Sequence, residues 1–200
     1  NSEKYGGGGG EYAVYAGGNE FAIDVAIHEL GHSYADLADE YDFSGGATYL
    51  GDEPREVNLT TDPTGAKWSD WIGYVDPVLG PIGVYEGGGY HSYGLYRPSE
   101  DGQMRSTGQP FHAVSREAFI LEFYDDVDPL DGWSFSGAET TVMDPDTLSV
   151  TPVDPDLISV VWRVDGQRIG SGPTLDVAGL GLANGGYDVE VVAMDETPWV

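Results

Sequence analysis

His28, Glu29 and His32 open the stretch HELGHSYADLADEY, residues 28–41. Two histidines four apart on a helix project from one face and can share a Zn²⁺ through their imidazole nitrogens. A glutamate directly after the first histidine reaches past the metal without binding it. Such a glutamate acts as general base on a zinc-activated water and passes the proton on to a leaving amine. The rival interpretation is a buried helix whose histidines pair with carboxylates. That rival does not explain why Glu29 sits where a base is needed.

A zinc site of this kind needs a third protein ligand. In one familiar long form of the motif, a glycine three residues after the second histidine turns the chain and the ligand falls six after it. Ala35 and Ala38 occupy those positions, so the long form fails. Asp36, Asp39 and Glu40 are the nearest acids. On a straight helix Asp36 lies about 6 Å further along the axis than His32 and points past the metal. Asp39 is far enough on for the chain to leave the helix and fold back. More distant candidates are Glu53 and Glu56, in GDEPREV, which shows no helix to hold them.

The elements around the motif must position it. Residues 6–10 are five glycines, which suggest a flexible loop giving a substrate room to approach, and Tyr12–Ala16 is expected to be a short strand. An unpaired strand edge there could bind peptide backbone by strand addition. Asn19 is expected to cap a helix that runs through FAIDVAIHELGHSYADLA, buried on most sides by Phe21, Ile23, Val25, Ile27, Leu30 and Tyr34. From about 42 to 110 the chain is rich in Gly, Pro, Tyr and Asp, with a helical turn expected at WSDWIG (68–73). A second helix is expected over 110–127. Beyond about Gly137 the period becomes two: SVVWRVDG, TLDVAG and YDVEVVAMD alternate apolar with polar between glycine turns. The expected architecture is therefore a catalytic α+β domain over 1–137 and an all-β, immunoglobulin-like sandwich module over 138–200. About 60 residues are fewer than a complete sandwich uses.

Thirty-five acids against eight bases give a formal net charge of −27. Such a surface repels phosphate backbones and anionic lipid, so no nucleic-acid or membrane partner is expected. No run of about 20 apolar residues exists to span a bilayer. Only Lys4 and Lys67 are lysines, and there is no cysteine. This composition suits a secreted or cell-surface protein that tolerates salt and needs no disulfides. The acids of YDDVDPLDG (124–132) could hold a structural Ca²⁺, although EF-hand spacing is missing.

HELGHSYADLADEY, with YGGGGGEYAVYAGG before it and YRPSEDGQMRS and PFHAVSREA after it, resembles the immunoglobulin A peptidase family of zinc metallopeptidases over roughly residues 4–125. The resemblance implies a zincin-like catalytic domain with His28 and His32 as ligands, Glu29 as catalytic base and Asp39 as third ligand. It makes Met104 the methionine of a Met-turn beneath the metal. A tyrosine two residues after such a methionine assists some related enzymes, but here that position is Ser106. Tyr93, Tyr96 and His91 are then the candidates for stabilising the oxyanion. Zincins place a sheet and a helix before the active-site helix, so the catalytic domain is expected to lack its upstream half. The expected function is a secreted zinc endopeptidase acting on a protein or glycoprotein substrate. Its rivals are a noncatalytic surface-binding protein with a structural or vestigial zinc site, and a hydrolase of non-peptide bonds.

Overall fold

The computed structural model describes residues 6–43, 45–135 and 147–197. The chain divides into two compact units, the first ending at Phe123 and the second beginning at Tyr124. Both α and β structure are present, and the sheets are small and antiparallel. None of the described helices is long and apolar enough to cross a membrane.

In the first unit, β1 (Gly7–Gly8) pairs with β2 (Val14–Tyr15) and is followed by α1 (Ala22–Ala35). Asn19 does not cap the helix as expected: the N-cap is Phe21, without a side-chain cap bond, and Asn19 Oδ1 instead accepts from the Phe21 N–H at 2.8 Å in the turn before α1. The helix ends sooner than its composition suggests. Asp36 adopts a left-handed φ of 46° and its N–H closes on the Gly31 carbonyl. Burial of α1 also differs from the expectation. His28, Glu29, Gly31 and Ala35 are buried, whereas Phe21, Ile23, Ile27 and Leu30 are exposed, Ile23 to 76%. The small and polar face of α1 is the one that packs inward.

Between the helices lie a 3-10 segment at Ala66–Trp71, the β3–β4 hairpin (Val75–Asp76 and Gly80–Pro81) and the β5–β6 hairpin (Tyr85–Gly88 and His91–Arg97). The second helix, α2, spans Ala113–Asp126. Two small cores hold this unit: Trp68, Trp71, Ile82, Ala113 and Val114 in one, and Ala35, Leu37, Met104 and Ala118 in the other. Gly31 permits the second, because a Cβ there would lie 2.6 Å from Met104 Sδ.

The second unit contains β7 (Leu130–Trp133), β8 (Thr147–Pro152), β9 (Ile158–Val164), β10 (Gln167–Ser171), β11 (Thr174–Asp176) and β12 (Val189–Asp195). Its sheets are three-stranded, ordered β10-β9-β12 and β11-β8-β7. Alternation turns Val160 and Trp162 of β9 to one side, where they share a core with Leu148 and Val150 of β8 and Leu175 of β11. The Trp162 indole N–H donates to the Gly172 carbonyl at 2.8 Å, so the buried ring leaves no polar atom unpaired.

Candidate metal centre

One face of α1 carries His28 and His32 toward the left-handed turn at Asp36. Each ring is fixed from behind. His28 Nδ1 lies 2.9 Å from the Gln103 carbonyl, and His32 Nδ1 lies 2.6 Å from the Leu37 carbonyl. A carbonyl can only accept, so both Nδ1 atoms carry the proton and both Nε2 atoms offer lone pairs in the neutral rings. Those two Nε2 atoms face each other at 3.2 Å. Asp39 Oδ1 completes a triangle with them, 2.9 Å from His28 and 3.2 Å from His32.

Three acceptors converging on one point call for a cation. A tetrahedral Zn²⁺ with bonds of about 2.0–2.1 Å separates its ligands by about 3.3 Å, close to the edges of this triangle. Among the described residues, His28, His32 and Asp39 are the only group of three or more that could hold a metal ion. The donor set of two neutral imidazoles and one carboxylate oxygen fits zinc.

The rival acids are engaged elsewhere. Asp36 points outward to Arg55 at 3.1 Å. Glu40 is fully buried and turned away from the histidines, 2.7 Å from His112 Nε2, and accepts from Asn58 Nδ2 at 2.8 Å. Glu53 accepts from the Thr61 N–H and pairs with Lys67 at 3.0 Å. In the irregular Leu37–Asp42 segment, neighbouring side chains thus face opposite ways, Asp39 toward the histidines and Glu40 into the interior.

A set of hydrogen bonds holds that segment. Asn58 clamps Ala38, accepting from its N–H at 2.8 Å and donating to its carbonyl at 2.9 Å. The Glu40 N–H donates to the Met104 carbonyl, and Arg105 donates to the Glu40 carbonyl and pairs with Asp42 at 3.0 Å. Met104 therefore lies directly behind the site, with its side chain against Gly31 and its carbonyl on Glu40. Gln103 ties the same turn to α1, because its Nε2 donates to the Asp24 carbonyl.

Glu29 is buried beside His28, under the glycine run. Residues 6–10 do not form an open loop. Gly7 and Gly9 lie flat on α1, where a Cβ would fall 2.4 Å from Glu29 Oε1 and 2.3 Å from His32 Cβ. Alternation directs the same side of both glycines at the helix, and only glycine allows that approach. The strand expected over Tyr12–Ala16 is reduced to Val14–Tyr15, with one edge taken by β1.

Burial and charge shape the ionisations. Burial raises the Glu29 carboxyl above its ordinary range, against the opposing pull of His28 and His32. Burial would also raise Asp39, but when His28 and His32 are protonated their Nε2–H groups, together with the Tyr90 hydroxyl, donate to it and hold it well below the usual carboxylate range. For both histidines burial favours the neutral ring, and the bonds to Asp39 and to the backbone carbonyls reverse the balance and raise them.

The residues proposed from sequence to stabilise an oxyanion take other places. His91 bonds the Gly89 carbonyl and packs edge-on against Tyr49, with ring centroids 5.2 Å apart. Tyr93 and Tyr96 bind Tyr49 and Thr60 through their backbones. The tyrosine that meets the metal centre is Tyr90, whose hydroxyl donates to Asp39 Oδ2. Its one visible signal in the sequence is the preceding Gly87-Gly88-Gly89. The acids at 125–131 join no metal-ligating group among the described residues, and Asp128 instead accepts from the Leu130 N–H at 2.8 Å.

No curated protein matches the chain. The family model described as IgA Peptidase M64 matches residues 1–82, the stretch that contains β1, α1, all three converging ligand atoms and Glu29. Over that stretch the chain is similar to the IgA peptidase M64 family.

Proposed function

We propose that the chain is a zinc-dependent endopeptidase with His28, His32 and Asp39 as ligands and Glu29 as general base. The observation that carries this is the triangle of three metal-facing atoms, each histidine fixed through Nδ1 to a backbone carbonyl, with Glu29 next to it on α1. The match of a peptidase family's model to residues 1–82 supports it. When bound, zinc lowers the pKa of a coordinated water to about 7 and polarises the scissile carbonyl.

Glu29 takes the proton from the attacking water and delivers it to the leaving amine. Burial serves this role, since a raised carboxyl is a stronger base than an exposed one. His28 and His32 turn Nε2 toward the metal because the Nδ1–H of each donates to the Gln103 or Leu37 carbonyl. The two-stranded β1–β2 sheet beside α1 offers a strand edge to which an extended peptide can add. We assign the first unit, ending at Phe123, to a zincin-like catalytic module, and the second, which takes β7 and so begins earlier than the boundary at 137 expected from sequence, to an immunoglobulin-like β-module that spaces or docks it. The acidic, cysteine-free composition supports secretion or display at the cell surface.

The test is metal content together with casein hydrolysis, on wild type and Glu29→Gln. One zinc in each, with hydrolysis at least about 10²-fold slower in the variant, is the expected result. One zinc in each and no hydrolysis by wild type would favour a binding protein with a structural metal.

A further inference from the structure

We infer that Tyr90 is a positioning residue that makes Asp39 present a single oxygen to the metal. The inference rests on the metal-centre reading above. It is carried by the backbone of the segment Gly87-Gly88-Gly89-Tyr90. All four residues have positive φ, at 103°, 154°, 53° and 69°. The glycines adopt such angles freely, and the space demands them: a Cβ at Gly88 would lie 2.6 Å from Leu59 Cδ2, and one at Gly89 would lie 2.9 Å from Leu95 Cδ1. A tyrosine in the left-handed region is disfavoured, and such residues persist where the surroundings hold them for a purpose.

The surroundings here hold Tyr90 onto Asp39. The Gly89 N–H donates to the Asp39 carbonyl at 2.8 Å, and the Tyr90 N–H donates to the Tyr41 carbonyl at 3.0 Å. These bonds lay the glycine segment along the segment that carries Asp39. The Tyr90 ring is braced edge-on by Tyr41 at 5.1 Å and stacked on Phe43 at 5.7 Å. The hydroxyl then reaches Asp39 Oδ2, while Oδ1 faces His28 and His32. With Oδ2 occupied, Asp39 cannot swing both oxygens onto a metal. Two imidazoles and one oxygen leave a tetrahedral ion one position free, which a catalytic site requires. Without the hydroxyl, Oδ2 is released to take that position itself.

Cobalt(II) reports the difference, because its visible d–d absorption weakens as coordination rises from four to five. The experiment titrates the metal-free protein with Co²⁺ for wild type, Tyr90→Phe and Tyr90→Gly, and records thermal melting of each metal-free form. Tyr90→Phe keeps the ring and its packing. Tyr90→Gly also relieves the left-handed φ, so it carries the test even if the phenylalanine variant folds poorly.

The expected result is one Co²⁺ in wild type with strong d–d absorption. In both variants binding is about 10–100-fold weaker, the range for a lost partner of a metal ligand, and absorption is reduced. Metal-free melting of Tyr90→Gly is expected at or above that of wild type. Wild-type affinity and spectrum in both variants would overturn the role of Tyr90 and leave the metal centre standing. Failure of wild type to bind Co²⁺ would overturn the metal centre and the inference with it.

Discussion

The two units of the chain are built on opposite plans. In the second, Leu148, Val150, Val160, Trp162 and Leu175 form an apolar core between regular antiparallel strands. In the first, the interior includes Glu40, Asn58, Thr60, Arg97, Gln103, His112 and Ser115, and among the described residues every buried polar or charged side chain belongs to this unit. An apolar core is stabilised mostly by area removed from water and tolerates modest changes of partner. A buried polar network is specific in direction, because each group depends on the one that satisfies it. The first unit accepts that dependence in order to hold a short irregular segment so that one carboxylate faces two histidines.

Removing a central residue from each plan should separate them. Glu40→Ala strips His112 and the Asn58 amide of their buried acceptor, and breaking such a pair costs about 3–5 kcal/mol. Calorimetry should show the first unit strongly destabilised, and zinc affinity should fall with it because Asp39 is the adjacent residue. Trp162→Ala should cost a similar amount, about 3–5 kcal/mol, by leaving a cavity in the apolar core. Zinc affinity should be unchanged there, since all three ligand atoms lie in the first unit. If Trp162→Ala also weakened zinc binding, the two plans would not be separable.

Asn58→Ala sharpens the comparison at smaller scale. The variant unpairs the Ala38 N–H and carbonyl, for a loss of about 1–3 kcal/mol in denaturant unfolding. Because Asn58 acts on the segment that carries Asp39, zinc affinity should fall about 10–100-fold in competition with a chelator. An unchanged affinity would show that the segment holds its course without the clamp.

The smallest effect concerns Glu53, which lies outside the site. Burial works to raise its carboxyl, but bonds from Thr61, Thr60 and Lys67 prevail and push it down to about 2. A depressed acid contributes stability above its unfolded value, ordinarily 4.5, and loses it as pH falls through about 2. Glu53 is substantially exposed, so screening keeps the contribution under about 1 kcal/mol. The melting gap between wild type and Glu53→Gln should be present at pH 6 and close on acidification between those two values. A gap independent of pH would place the effect outside the carboxylate's charge.

The same contrast explains what the residues revealed in advance. Period-two alternation located β9 and β11, where burial sets the strand, and β12, which contains no buried residue and is held by its pairing with β9. His28, Glu29 and His32 were legible because their spacing is local to one helix. Asp39 could not be separated from Asp36 and Glu40 by spacing, because the choice depends on a φ of 46° at Asp36 and on Asn58 and His112, far along the chain. The outward apolar face of α1 was misjudged for a related reason: hydrophobicity predicts burial, whereas here the close approach of Gly7, Gly9 and Met104 decides which face packs. Tyr90 was missed since a glycine run signals freedom in sequence and a fixed left-handed path in the structure.

Zinc competition titration of wild type and Asp39→Ala tests the central claim most directly. One site in wild type, and binding weaker by at least about a hundredfold in the variant with metal-free stability preserved, is the result expected for a lost ligand. Equal affinity in the two proteins would contradict it, and would remove Asp39 from the metal centre.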